Sequence, residues 1–196
     1  MAIQRHVGVK ADGIFGPVSA AAVREHLRPT LGAMPADKAT KFKFDARTDK
    51  NLATLTPKAQ AKFRPFIAQA KAIAASMGYE YRAISGHRSY AEQDTLYAKG
   101  RTKPGKRVTN ARGGYSSHNF GIALDFGVFK GRRYVDSSDP VLAHRVHAAI
   151  AQIADKHGIE WGGNWRSFKD YPHFEIKTGL SMAEKRARVR AGKEVF

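Results

Sequence analysis

The stretch YSSHNFGIALDF at residues 115–126 constrains the fold more than any other part of the chain. Every second residue toward its end is apolar: Ile122, Leu124 and Phe126. This period of two predicts a β-strand that buries one face in a core. Asp125 lies on the opposite face between the small residues Ala123 and Gly127, which leave space around its carboxylate. Because Gly121 allows the loop that carries His118 to turn back, we expect the imidazole and the carboxylate to lie close together.

An imidazole and a carboxylate at one point can bind a metal ion. The chain contains no cysteine, so a metal site must use His, Asp or Glu. Catalytic zinc sites usually have three protein ligands. The best third candidate is His173 in DYPHFEI, with Asp170 three residues before it. Spacing alone leaves two interpretations open, a metal site or a histidine–aspartate salt bridge.

The remaining apolar patterns predict a mixture of helices and strands. A helix begins at Thr56-Pro57 and ends near Gly78, and we expect a kink or break at Pro65 because proline cannot donate the helical hydrogen bond. Ser89 to Glu92 form a capping box that opens a second helix. The other predicted elements are strands at 79–85, 121–129, IEW and YPHFEI, and a helix from Asp139-Pro140 to Gly158. They form no repeated βαβ units, so we predict an α+β domain.

Three histidines outside these motifs are weaker candidates. His144 and His147 share one face of a predicted helix, which we expect to be solvated. His87 is expected either to line a cleft or to face solvent. Its neighbour Arg88 lies where a strand ends and a capped helix begins, a junction that often carries functional side chains. From its position alone, Arg88 is better explained as a surface arginine of a very basic protein.

Composition limits the class of protein. With 196 residues, 42% of them hydrophobic, the chain can form one domain with a core and a small appendage. The formal net charge of +17 predicts attraction to polyanions. Nucleic acid is disfavoured because the basic runs at 101–112 and 185–193 contain no aromatic residues to stack on bases. No apolar run could span a membrane and no signal-peptide core is visible, so we expect a protein made in the cytoplasm, and a monomer.

The pattern Ser116-x-His118-x-x-Gly121-x-Ala123-x-Asp125 resembles the signature of the zinc D-alanyl-D-alanine carboxypeptidase and L-alanyl-D-glutamate peptidase family. The blocks SGHRSYAEQDTLYAKGRT and DYPHFEI are also similar to that family, and the resemblance covers residues 42–178. It implies the hedgehog/DD-peptidase fold, an α+β domain with a small antiparallel sheet, flanking helices and a zinc site.

The resemblance also implies the roles of individual residues. One zinc ion per chain would be bound by His118, Asp125 and His173. Asp170 would be the catalytic carboxylate, and Arg88 would stabilise the developing oxyanion. The expected substrate-binding residues are Gln93, Ser116 and His87.

The function implied is hydrolysis of the stem peptide of bacterial peptidoglycan, and the L-alanyl–D-glutamate bond is the one we expect. The Asp-Tyr-Pro-His block resembles the endopeptidase branch of the family. The expected setting is a phage endolysin that acts on the wall after release from the cell. Two alternatives stay open: a D-alanyl-D-alanine carboxypeptidase or cross-link endopeptidase of wall remodelling, and a catalytically silent basic wall-binding protein.

The two ends are predicted to be appendages. Residues 1–40, with VGVKADGIFGPVSAAAV, resemble a truncated helical peptidoglycan-binding segment followed by a linker. The catalytic domain is predicted at 41–180. Residues 181–196 form a basic C-terminal helix that begins with a Ser181 to Glu184 capping box. We expect this helix to be solvated, with attraction to anionic envelope polymers as a secondary effect.

Overall fold

A computed structural model describes residues 43–196 of the chain. The strands are β1 (Glu80–Ser85), β2 (Ala123–Lys130), β3 (Arg133–Tyr134), β4 (Ile159–Trp161) and β5 (His173–Ile176). The helices are α1 (Ala46–Ala53), α2 (Pro57–Ser76), α3 (Tyr90–Ala98), α4 (Val135–Ser138), α5 (Pro140–Ala154) and α6 (Met182–Arg190). One antiparallel sheet has the order β1-β2-β5-β4, with β3 paired to β2. The predicted α+β domain with a small antiparallel sheet is confirmed.

The core lies between one face of this sheet and helices α2 and α5. Leu124, Phe126 and Phe174 are fully buried there. Phe66 of α2 packs against Phe126 and Phe174, with ring centroids 5.9 and 5.2 Å apart. Burial of one such side chain stabilises the fold by roughly 1.5–3 kcal/mol. Because side chains alternate along β2, the packed face fixes Asp125 on the opposite face, as the alternating pattern predicts.

Helix α2 differs from its prediction in one respect. Thr56 caps it by accepting a hydrogen bond from the Ala59 N–H, and Pro57 is at its start, as predicted. The helix continues through Pro65 to Ser76, so the predicted break was wrong. Proline removes only the hydrogen bond to the carbonyl of Ala61, and that residue is exposed, so water can replace the missing donor.

The histidine-bearing face of α5 is packed, so the prediction of a solvated face was wrong. His147 is fully buried and lies 2.8 Å from both the Tyr81 hydroxyl and an Asp136 carboxylate oxygen. His144 stacks on Tyr171 with ring centroids 3.9 Å apart. The partners come from β1, α4 and the loop before β5, which the local helical pattern does not reveal.

The C-terminal helix α6 also packs on the domain. Its predicted capping box is present, because Ser181 and Glu184 bond reciprocally. Lys185 of this helix and Val195 beyond it are each only 3% exposed, whereas most of the helix is exposed, so the predicted solvated helix also has one packed face. Within residues 43–196, no helix is both long and apolar enough to cross a membrane. The wall-binding-like segment predicted at 1–40 lies outside the described residues, and the domain boundaries stay predictions.

Candidate metal centre and active site

Three side chains converge on the face of the sheet that points away from the core. Asp125 of β2 is paired with His173 of β5, and His118 comes from the 3₁₀ turn Ser117–Phe120 before β2. The Asp125 Oδ1 atom lies 2.9 Å from His118 Nε2 and 3.0 Å from His173 Nδ1. The two imidazole nitrogens are 3.2 Å apart. The sheet register and the turn therefore bring the three predicted ligands to one point.

The loop geometry around His118 fixes its imidazole. Gly121 ends the 3₁₀ turn with φ 63°, a left-handed conformation that suits glycine, as the sequence predicts. The carbonyl of Gly86 lies 2.6 Å from His118 Nδ1, and the Arg88 N–H donates to the carbonyl of His118. A Cβ atom at Gly86 would lie 2.2 Å from Thr54 Oγ1. Glycine is therefore needed at position 86 to keep that carbonyl in place.

The hydrogen bonds around the cluster of His118, Asp125 and His173 place the N–H group of each imidazole on the side that faces away from the other two residues. The far nitrogens are His118 Nδ1, beside the Gly86 carbonyl, and His173 Nε2, 2.9 Å from a Glu175 carboxylate oxygen. Carbonyls and carboxylates only accept, so both far nitrogens donate. The near nitrogens then present lone pairs toward each other and toward Asp125. This donor set fits a divalent cation such as zinc, whose histidine ligands usually donate their other N–H to a carbonyl or carboxylate.

The electrostatics of the cluster agree with this arrangement. Burial lowers the pKa of His173, but hydrogen bonds to Asp125 and Glu175 outweigh burial and raise it to about 10. Burial lowers the pKa of His118. Burial raises the pKa of Asp125, yet the charge of His118 and the close contacts with both imidazoles bring it well below its usual range. The two carboxylates of Asp125 and Glu175 therefore favour a positive charge at the centre of the cluster.

The cluster forms part of the wall of a cavity of about 600 Å³, a size suited to a small ligand. Arg88 lies on this wall, and its Nη2 is 3.3 Å from Asp125 Oδ2. Its Nε–H is buried and has no partner among residues 43–196. Asp170 lies on the same wall, and burial, reinforced by the charge of Asp125, raises its pKa. The cavity wall thus carries two groups suited to catalysis. One is the unpaired Nε–H donor of Arg88, and the other is the Asp170 carboxylate, which takes up a proton more readily than usual.

The three residues predicted to bind substrate occupy different places. Ser116 lines the cavity. Gln93 is fully buried and donates to Thr109 Oγ1 and the Ala111 carbonyl, at 3.2 and 2.9 Å. It therefore supports the loop that forms one cavity wall, and its contact with substrate stays a prediction. His87 is exposed and is not among the residues that line the cavity.

Several residues of the site received no role from the sequence. Glu175 had a usable signal, because it lies two residues after His173 and therefore on the same strand face. Trp165 and Phe168 line the cavity from an irregular loop that has no periodic pattern. Lys185 contacts Glu175 but is one of 34 lysines and arginines, so nothing local marks it.

Comparison with known proteins finds a family whose model matches part of the chain. A family model described as D-alanyl-D-alanine carboxypeptidase, of peptidase family M15, matches residues 109–176. The peptidoglycan L-alanyl-D-glutamate endopeptidase CwlK of Bacillus subtilis is 43% identical over 112 residues, which is 54% of this chain. The match covers 66% of that relative, just under two thirds of its length.

Solved structures also resemble the chain. The L-Ala D-Glu endopeptidase ChiX of Serratia marcescens has a TM-score of 0.45 at 24% identity, with 69% of this chain and 90% of that chain covered. A vancomycin-resistance D,D-pentapeptidase VanY variant in complex with Zn(II) has a TM-score of 0.42 at 14% identity, with 72% and 81% covered.

Proposed function

We propose that the chain belongs to peptidase family M15 and is a zinc metallopeptidase that hydrolyses the stem peptide of bacterial peptidoglycan. The match of the family model to residues 109–176 and the similarity to the Bacillus endopeptidase support this proposal. The observation that carries this proposal is the convergence of His118, Asp125 and His173 on one point of a cavity wall. Asp170 and Arg88 line the same cavity. These five residues supply the ligands, a base and an electrophilic donor that amide hydrolysis needs.

The proposed chemistry assigns a task to each side chain. Zinc, when bound by His118, Asp125 and His173, polarises a carbonyl and lowers the pKa of water. Asp170 accepts a proton on its carboxylate as water attacks the scissile carbonyl, and it later donates that proton to the leaving amine. Its raised pKa makes the carboxylate a stronger base, which favours the first of these transfers. Arg88 donates hydrogen bonds to the oxygen on which negative charge develops, a role that its unpaired Nε–H supports.

We propose the L-alanyl–D-glutamate bond as the substrate bond. Support comes from the name of the Bacillus relative, an L-alanyl-D-glutamate endopeptidase. A D-alanyl-D-alanine carboxypeptidase is the second candidate, because the matching family model carries that description. The two reactions leave different ends: hydrolysis of the first bond creates an L-alanine carboxylate and a D-glutamate amine, whereas the second releases free D-alanine.

Mass spectrometry of purified peptidoglycan after digestion distinguishes these products. We expect new D-glutamate amino termini with the wild type and none with Asp170→Asn. Release of D-alanine alone would support the carboxypeptidase. No new termini from a folded, zinc-loaded protein would favour a silent wall-binding protein and overturn the proposal.

The biological setting is a separate part of the proposal. A lytic endolysin would lower the turbidity of a wall suspension by itself, whereas a remodelling enzyme would cut stem peptides without dissolving the wall. We expect lysis, and we expect a monomer that acts on the cell wall and is attracted to its anionic polymers. Sedimentation and turbidity measurements test these expectations.

A further inference from the structure

Helix α6 places a buried lysine behind the candidate metal centre. Lys185 is 3% exposed. Its Nζ lies 3.7 Å from Glu175 Oε1 and 3.4 Å from Ser117 Oγ. Ser117 directly precedes His118, and Glu175 follows His173 by two residues. One ammonium group therefore contacts both segments that carry the candidate histidine ligands.

Burial of a lysine at this position needs an electrostatic explanation. A charged group removed from water costs several kcal/mol unless it is paired. Glu175 supplies the opposite charge, and its side chain is only 13% exposed. The two oppositely charged side chains therefore offset each other's removal from water.

The contacts form a chain that leads to the metal-facing nitrogen. Glu175 uses one oxygen, Oε1, toward Lys185 and the other, Oε2, to accept from His173 Nε2 at 2.9 Å. The proton on Nε2 leaves the lone pair of Nδ1 directed at Asp125 and His118. If the Glu175 carboxylate moved away, neither the orientation of the His173 ring nor its tautomer would be fixed.

We propose that Lys185 is a positioning residue that holds Glu175, and through it His173, in the geometry that binds the metal ion. The inference rests on the proposed metal site and adds a role for the C-terminal helix in that site. Helix α6 would then be part of the catalytic domain, and its role would not be limited to the attraction of anionic polymers by surface charge.

Zinc affinity of the full chain, measured by competition with a chromophoric chelator, tests this role. We expect Lys185→Met to weaken zinc binding by about tenfold, within the range known for residues that support metal ligands. The matched control is Arg190→Met, which removes the same charge from the exposed face of the same helix and should leave the affinity unchanged. Absorption of the cobalt-substituted proteins should change for Lys185→Met alone, because that spectrum reports ligand geometry.

A double-mutant comparison keeps the test valid if Lys185→Met alone does not fold. Glu175→Gln should weaken zinc binding by about 10–100-fold. Lys185→Met added to Glu175→Gln leaves no unpaired carboxylate and should cause little further loss, because the lysine acts through that carboxylate. A further tenfold loss in the double variant, or wild-type affinity in a folded Lys185→Met protein, would overturn the inference. Failure of the wild type to bind zinc would instead overturn the proposed function.

Discussion

Asp170 is the residue whose role is most sharply testable, because it lies on the cavity wall outside the metal cluster. Asp170→Asn keeps the size of the side chain and removes its ability to accept a proton. We expect zinc content and thermal stability to stay close to wild type, while kcat falls by about 10²–10⁴-fold, the usual contribution of general acid–base catalysis. Single-turnover hydrolysis of a stem peptide measures the loss. Near-normal turnover by the zinc-loaded variant would remove Asp170 from the mechanism.

Arg88 should resist replacement by lysine even though the charge is kept. A guanidinium offers several donors in a fixed plane, and one of them, Nε–H, is buried without a partner among residues 43–196. We expect Arg88→Lys to lower kcat/KM by roughly 10²-fold, as for the loss of one oxyanion donor. Arg82→Lys on β1, which pairs with Glu80 away from the cavity, is the control and should keep wild-type activity. Equal kcat/KM for Arg88→Lys and wild type would make Arg88 a structural residue.

For single residues, the sequence predicts the site residues that belong to a common motif. It does not predict those that come close to the site only in the folded structure. His118, Asp125 and His173 meet because alternation along β2 and β5 fixes their faces. The motif predicts that Gln93 binds substrate, and it does not reveal that the Gln93 amide donates to the Ala111 carbonyl and so supports a loop. Lys185 has no motif, since its contact with Glu175 depends on how α6 docks.

Among the helices, α1 offers the clearest test of local stability. Asp45 caps it by accepting from the Thr48 N–H at 3.0 Å and also pairs with Lys71 of α2 at 2.9 Å. We expect Asp45→Ala to lower the free energy of unfolding by about 1 kcal/mol, the usual loss for an N-cap. Urea denaturation measures this value. Asp155→Ala, at a carboxylate that is 81% exposed, should have a smaller effect.

The contribution of Asp45 to the stability of the fold should depend on pH. Burial raises the pKa of Asp45, but hydrogen bonds from Lys71 and Thr48 outweigh it and lower the pKa in the folded state. The stabilisation is therefore complete above the unfolded value of about 4 and is lost as pH falls through the folded value. The difference in stability between wild type and Asp45→Ala should narrow below about pH 4. A constant difference down to pH 2 would show that the charge of Asp45 contributes nothing.

Most elements could be predicted because their signals are local. Capping residues mark the starts of α2, α3, α5 and α6, and alternation marks β2. Helix α1 and the short helix α4 were not predicted from the sequence. The continuous helix through Pro65 could not be foreseen, since it depends on solvent access to one freed carbonyl.

For the molecule as a whole, the charge of +17 predicts salt-dependent binding to cell walls. Screening lengths fall from about 30 Å at 0.01 M to about 8 Å at physiological ionic strength. Wall binding should therefore weaken across this range, while hydrolysis of an isolated neutral stem peptide should change little. Equal salt slopes for the two substrates would exclude a role for surface charge.

The variants for this experiment should come from the exposed basic loop. Lys103→Gln with Lys106→Gln removes two exposed charges and should flatten the salt dependence on whole walls. Deletion of residues 181–196 is unsuitable, because it would also remove the buried Lys185 and Val195. The composition gives the total charge of the chain. It does not show which basic residues, such as Lys185, are buried in the fold.

Zinc titration of the metal-free protein tests most directly whether the cluster of His118, Asp125 and His173 is a catalytic metal site. Chelator-treated protein should be inactive on stem peptide, and activity should rise with added zinc until one equivalent per chain, then stay constant. A His118→Ala, His173→Ala double variant should show no such rise at stoichiometric zinc. Full activity of the metal-free wild type, or the same titration curve for the double variant, would contradict the assignment of these three residues as zinc ligands.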